Sequence, residues 1–205
     1  NAQAMRVVQR HEFDAALAQT LVNQGLRLQS NERLVDLQMT ADGALLTTNR
    51  ATYQAQVVVA ADGANSMVRR KLRLFTPVGV ARLLRVLTPL DPQTSMAWRE
   101  KTAVFDFSCI QEGIQGYVWD FPCLVDGSAY MNRGIFDSRM APLPERPRGQ
   151  FKQTFVTGLQ ARQIDLEDIP LEGYPIRWFN AEAEFARPHV LFVGDAAGVE
   201  PLFAE

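Results

Sequence analysis

Between His11 and Gln24 the apolar residues Phe13, Leu17 and Leu21 recur at i, i+4 and i+8, the spacing of one face of an α-helix. Gly25 follows where helices commonly end on a glycine, so the pattern predicts a helix of about four turns. RLVDLQM and ALLTT then flank Thr40-Ala41-Asp42-Gly43. An Asp-Gly pair between apolar runs signals a hairpin, and two antiparallel strands are expected. From Ala55 to Ala60 a β-branched run shows no polar alternation, which predicts a strand covered on both faces, as in the parallel sheet of an α/β layer.

After Phe75 the pattern changes: Pro77, Pro89 and Pro92 break the chain, and short β-rich runs follow at RLLRVLT, TAVFDFSCI, QGYVWDF and AYMNRGIF. A mostly antiparallel sheet is expected. Residues 140–148 carry three prolines and three charged side chains, the composition of a surface connection. Phe151 to Leu166 reads as a helix interrupted by Gly158. Pro188-His189 leads into Val190-Leu191-Phe192-Val193, a second apolar strand, and Gly194-Asp195-Ala196-Ala197-Gly198 stands at its end.

Composition narrows the classes. With 205 residues the chain suits one large domain or two small ones, and a net charge of −2 leaves no basic surplus for nucleic acid. The longest purely apolar stretch, Val57 to Ala61, is far short of the ~20 residues of a membrane-spanning helix, so no transmembrane segment is expected. The first residues hold no apolar signal-peptide core, and Cys109 and Cys123 lack CxxC or zinc spacing. A reducing, cytoplasmic setting follows, with both thiols as buried small hydrophobes. His11 and His189 have no partner pattern. No Ser/His/Asp order, metal-ligand cluster or paired catalytic carboxylates stand out, and no catalytic side chain is identified.

The two strand ends carry the functional signal. Asp62-Gly63 closes VVVAA and Asp195 closes VLFVG. In open α/β sheets ligands lie beyond the carboxyl ends of the strands, where a short carboxylate can accept from sugar hydroxyls. The small residues of GDAAG leave backbone open to a ligand, and a helix starting after Pro201 would aim its positive end at an electron-rich group. One such dipeptide is ordinary turn chemistry. Two of them, each ending an apolar strand, point to a nucleotide cofactor.

VVVAADGANSMVRRKL and RPHVLFVGDAAGVEP resemble the two FAD-contacting motifs of the flavin-dependent monooxygenase superfamily typified by p-hydroxybenzoate hydroxylase. RHEFDAALAQTLVNQG is similar to that superfamily's helix whose leading arginine lies against the cofactor. Within it, GYVWDFP resembles the Tyr-x-Trp-x-Phe-Pro motif of the geranylgeranyl reductase family; the close Gly-x-Gly pair that follows there is replaced here by CLVDGSAYMNRGIF, with Gly134 arriving late. The resemblance implies that FAD is the cofactor and that Arg10 contacts it. It assigns Asp62 and Gly63 to the ribityl or phosphate side, and Gly194, Asp195, Ala196 and Ala197 to a second contact in which Asp195 accepts from a cofactor hydroxyl. Gly198 and Pro201 would shape the turn under the isoalloxazine ring. Arg69 and Arg70 are expected to be solvated or paired with local carboxylates. The implied fold is an α/β FAD-binding layer of the Rossmann-like, glutathione-reductase type, made by residues 1–75 and 186–205, with an inserted α+β antiparallel-sheet substrate domain at 76–185. Family members begin with a βαβ unit bearing G-x-G-x-x-G. That pattern does not occur in these residues, so the layer is incomplete and the chain is expected to be an internal piece of a larger flavoprotein.

Tyr117, Trp119 and Phe121 alternate with Val118 and Asp120, so as a strand they share one face, and Pro122 is expected to end it. Core packing accounts for these aromatics as well as a functional role does; in the functional reading they wall an apolar pocket. The function expected is FAD-dependent reduction of carbon–carbon double bonds in an isoprenoid, geranylgeranyl-type substrate, with NAD(P)H or another reductant as electron donor. One rival is an FAD-dependent monooxygenase hydroxylating an aromatic or apolar compound. Another is a non-catalytic flavoprotein-like binding domain, favoured by the missing glycine fingerprint. The partners implied are an apolar small molecule or prenyl lipid, the latter reached by peripheral membrane contact.

Overall fold

A computed structural model describes residues 5–74, 79–140, 150–167 and 169–199. Along the chain run α1 (Arg10–Asn23), β1 (Leu34–Thr40), β2 (Gly43–Thr48), β3 (Thr52–Ala55), β4 (Val58–Ala60) and α2 (Met67–Lys71). They are followed by β5 (Val80–Pro89), α3 (Met96–Glu100), β6 (Val104–Asp106), β7 (Gly116–Val125) and β8 (Ser128–Asp137). The last are α4 (Gln150–Ala161), β9 (Glu172–Arg177), β10 (Ala186–Arg187) and β11 (Val190–Phe192). These elements form two compact units, one of Asn1–Leu28 with Arg82–Tyr174 and one of Gln29–Ala81 with Pro175–Glu205. The connection expected at 140–148 lies, apart from Met140, outside the described residues.

In the second unit β1, β2 and β3 form an antiparallel meander in which Thr40 pairs with Gly43. The two-residue turn is therefore Ala41-Asp42, and Gly43 opens the next strand. β11 pairs in parallel with β4, Val190 opposite Val58 and Phe192 opposite Ala60, and β10 closes that sheet on the other edge. Val58, Ala60, Val190 and Phe192 enter one core with Leu37, Ala44 and Val68. The strand expected to be covered on both faces is covered on one. Val59 is 57% exposed, and Val57, Leu191 and Val193 share its exposure, because side chains alternate across a strand and among the described residues only the even-numbered face meets a packing layer.

The other unit is built on a sheet of order β6-β7-β8-β5-β9, in which β6–β7, β7–β8 and β8–β5 pair antiparallel. On one face Val86, Val118 and Ile135 meet Phe151, Phe155 and Leu159 of α4. The helix expected over Phe151 to Leu166 is present but ends at Ala161, the backbone leaving helical conformation at Gln163, φ +59°. Pro122 does not end β7, which continues to Val125 with Pro122 opposite Met131. β6 pairs with β7 only between Val118 and Asp120. Beyond Asp120 that side of β7 is a sheet edge, where a missing N–H leaves no ladder bond unmade.

Helix α1 ends as its glycine implies: Leu26 N–H donates to Leu21 O and Gly25 N–H to Val22 O, a Schellman pair, with Gly25 at φ +99°. Its apolar face stays open, Leu17 being 50% exposed. Cys109 and Cys123 are both buried free thiols, and burial pushes the Cys109 thiol up to about 11.

Truncating Phe155, 1% exposed, to alanine is predicted to cost about 3–5 kcal/mol, whereas Leu17→Ala should stay within about 0.5 kcal/mol; urea titrations of the two variants test the contrast. The raised Cys109 pKa means that the unfolded chain ionises first, from about pH 8.5. Cys109 should therefore contribute stability that is complete below that pH and declines as pH rises towards 11. Cys109→Ser should flatten this alkaline part of a stability–pH curve.

Candidate functional site

Because β4 and β11 are parallel with Ala60 level with Phe192, and Val193 N–H donates to Ala60 O at 3.0 Å, the chain leaves both strands side by side. Asp62 comes two residues after one strand end and Asp195 three after the other. The sequence placed an acidic residue after each of two strands; the structure makes those strands parallel neighbours, so both residues follow adjacent carboxyl ends.

The two carboxylates are used differently. Asp62 Oδ2 accepts from Met67 N–H at 2.7 Å and from Val68 N–H at 3.1 Å, while Ser66 Oγ accepts from Arg69 N–H at 3.1 Å. Together they cap the first turn of α2, and negative charge is favourable there. Gly63 accepts from Ser66 N–H and so closes the loop between strand and helix. Asp195 stands in a one-turn 3₁₀ helix, Gly194–Ala196, closed by Ala197 N–H donating to Gly194 O at 2.9 Å. Its half-buried carboxylate has no hydrogen bond or ion pair to any described residue. Ala196 and Ala197 are buried. Gly198 has φ +72°, and a Cβ there would lie 3.0 Å from Trp178 O, so both conformation and space require glycine. Pro201 lies outside the described residues.

Arg69 departs from expectation. It is 2% exposed, pairs with no carboxylate among the described residues, and donates to backbone instead. Its Nε bonds Ala196 O, and its Nη2 bonds Glu184 O at 2.9 Å and Ala197 O at 3.3 Å. The guanidinium lies 4.4 Å from the Phe192 ring centroid. Burial first, then the nearby Arg177, pulls its pKa below the ordinary arginine value. Arg70 is exposed, as expected. Nothing in the run VRRK separates the two; the helix's orientation over the Gly194–Gly198 turn does. Arg10, at the start of α1 in the other unit, is an exposed side chain bonded to Asp14 at 3.1 Å.

A family model described as "FAD binding domain" matches residues 1–202. The chain belongs to the FAD-binding domain family. Its fold is similar to that of a geranylgeranyl bacteriochlorophyll reductase-like protein from Thermoplasma acidophilum, with TM-score 0.69 at 21% identity over 96% of this chain and 50% of that one. It is also similar to the flavin-dependent halogenase CmlS, with TM-score 0.61 at 20% identity over 93% of this chain and 35% of that one. The flavin-dependent monooxygenase PieE, solved with FAD and substrate, gives 0.60 at 16% identity over 95% of this chain and 34% of that one. The chain thus spans about a third to a half of the length of these solved proteins. No curated protein matches. The strand-end turn combines small residues with a carboxylate that has no hydrogen bond among the described residues, a chemistry compatible with a hydroxyl-bearing ligand such as FAD.

The GYVWDFP segment lies on β7 of the sheet unit. Register puts Tyr117 opposite Phe136, Trp119 between Phe105 and Gly134, and Phe121 opposite Asn132, all on the face away from α4. The rings form a continuous array: Tyr117 and Trp119 centroids are 6.1 Å apart, as are Trp119 and Phe121, and Phe105 sits 4.9 Å from Phe121. Trp119 Nε1 donates to Asn132 Oδ1 at 3.1 Å. A Cβ at Gly134 would come within 2.0 Å of the Trp119 ring, so the late glycine is the floor on which that indole lies. Arg85, opposite Gly134 on the other side, is held by Glu172. A cleft of about 70 Å³ lies on the α4 side, lined by Asp106, Cys109, Phe155 and Arg162 among others; it is too small for a flavin or a prenyl chain.

Asp62→Ala should cost about 1 kcal/mol by uncapping α2, and Asp62→Asn should restore part of it; chemical denaturation of the whole chain checks both.

Proposed function

We propose that this protein is an FAD-dependent oxidoreductase that reduces carbon–carbon double bonds of an isoprenoid, geranylgeranyl-type substrate, drawing electrons from NAD(P)H or another reductant. The observation that carries the reading is the aromatic array of Tyr117, Trp119 and Phe121 with the Trp119 ring seated over Gly134. Tyr117 and Trp119 are themselves buried; the apolar area open to a long hydrocarbon comes from the half-buried Phe121 and the exposed Phe105 and Phe107 packed against them. Bound FAD supplies the redox chemistry, and the chain's own part is to hold, orient and dry. Asp195 accepts from a cofactor hydroxyl, and Gly63 and the Gly194–Gly198 turn of the same unit complete the contact. Residues 1–75 and 186–205 would form the FAD-binding part and 76–185 the substrate part. A prenyl-lipid substrate brings the protein into peripheral contact with a membrane, from the cytoplasmic side; among the described residues no helix is long and apolar enough to cross one.

A second reading, hydroxylation of an aromatic compound, is favoured by the polar groups bordering the rings. Asn132 and the Arg85–Glu172 pair could orient a ring substituent, which a prenyl chain lacks.

Anaerobic incubation of FAD-loaded protein with reductant and a geranylgeranyl substrate, followed by mass spectrometry, tests the choice. Gain of hydrogen without oxygen supports reduction; a product that forms only in air and carries added oxygen overturns it in favour of hydroxylation. Protein that takes up no FAD supports the non-catalytic binding domain. Asp195→Ala should weaken FAD binding by about 1–3 kcal/mol, read by flavin fluorescence titration. Trp119→Ala should leave FAD affinity intact and weaken substrate binding; loss of thermal stability alone would return the array to core packing.

A further inference from the structure

We infer that Arg69 is a positioning residue for the cofactor site, holding the Gly194–Gly198 turn in its binding shape and tying it to the helix that Asp62 caps. The inference rests on the FAD reading of that turn. A short 3₁₀ turn leaves its last carbonyls without internal donors. Here those carbonyls belong to Ala196 and Ala197, buried at 0% and 2% exposure, out of reach of water. Arg69 supplies the donors, Nε to Ala196 O and Nη2 to Ala197 O. The same Nη2 bonds Glu184 O at 2.9 Å, so one planar fork clasps two separate segments. Its stacking on Phe192, the last residue of β11, fixes the fork's plane just before the turn begins.

The other end of Arg69 is equally determined. Its N–H is held by Ser66 Oγ, and the two preceding N–H groups are held by Asp62 Oδ2. Hydrogen bonds therefore fix both ends of Arg69, its helix turn to Asp62 and Ser66 and its guanidinium to the carbonyls just after Asp195. Arg69 makes no hydrogen bond to a carboxylate among the described residues; burial and then the nearby Arg177 act against its charge, and Glu184 and Asp62 offset part of that. A buried guanidinium whose hydrogen bonds all go to three backbone carbonyls marks a position where the donor geometry matters. Lysine would keep the charge, but its compact ammonium cannot present the planar fork that reaches three carbonyls.

The test compares Arg69→Lys and Arg69→Gln with Arg70→Gln, which alters the exposed neighbour. Hydrogen exchange on cofactor-free protein should show the amides of Ala197 and Gly198, bonded within the turn, exchanging faster by about tenfold or more in both Arg69 variants, with the β7–β8 strands unchanged. FAD titration should show an affinity loss of about tenfold or more in the same variants, and Arg70→Gln should change neither. Unchanged exchange in the turn, or acceleration spread evenly over all strands, overturns the inference. So does faster turn exchange with wild-type FAD affinity, since Arg69 would then be a strut with no bearing on the cofactor. Wild-type protein that binds no FAD would sink the FAD reading itself, and the exchange comparison would still decide whether Arg69 holds the turn.

Discussion

The parallel pairing of β4 with β11 is the constraint on which the candidate site depends. Three residue pairs, Val58 to Val190 through Ala60 to Phe192, set the level at which both chains leave the sheet. A slip of one residue would reverse which side chains face the core. The observed register sends Val58, Ala60, Val190 and Phe192 inward and brings Asp62 and Asp195 out together. Two segments far apart in the sequence thereby become one strand-end site, in the place where α/β sheets receive ligands.

Around that pairing, polar groups are assigned by what the backbone leaves unsatisfied. Asp62 and Ser66 take up the N–H groups at the start of α2, and Arg69 takes up the carbonyls at the end of the Asp195 turn. The Asp195 carboxylate, unlike that of Asp62, makes no hydrogen bond among the described residues, so of two motifs alike in sequence only one has its carboxylate built into the scaffold.

In the sheet unit, steric fit organises the second candidate surface. Gly134 provides the flat seat for Trp119, and the neighbouring rings extend it into an aromatic face. The opposite face is filled by α4. Because side chains alternate along β7, the strand's polar Asp120 is left on the α4 face, where Arg133 and Arg162 bond it.

Local chemistry made much of this legible in advance. Periodicity identified α1 and α4, the Gly25 C-terminus, the first hairpin, the antiparallel runs and the two strand-terminal Asp motifs, since each depends on neighbours within a few residues. What depends on partners distant in the chain was not legible. Phe13, Leu17 and Leu21 have the same spacing as Phe151, Phe155 and Leu159, yet only the α4 set meets a sheet and is buried. Pro122 stays within its strand because β6 is short, a fact of pairing and not of composition. Arg69 and Arg70 are adjacent and chemically identical; the direction in which α2 lies over the turn buries one and exposes the other. The sequence by itself determined the elements and the chemistry at their ends. Tertiary structure decided which faces are covered and which charges are enclosed, because burial and long-range hydrogen bonding follow from the packing of distant segments.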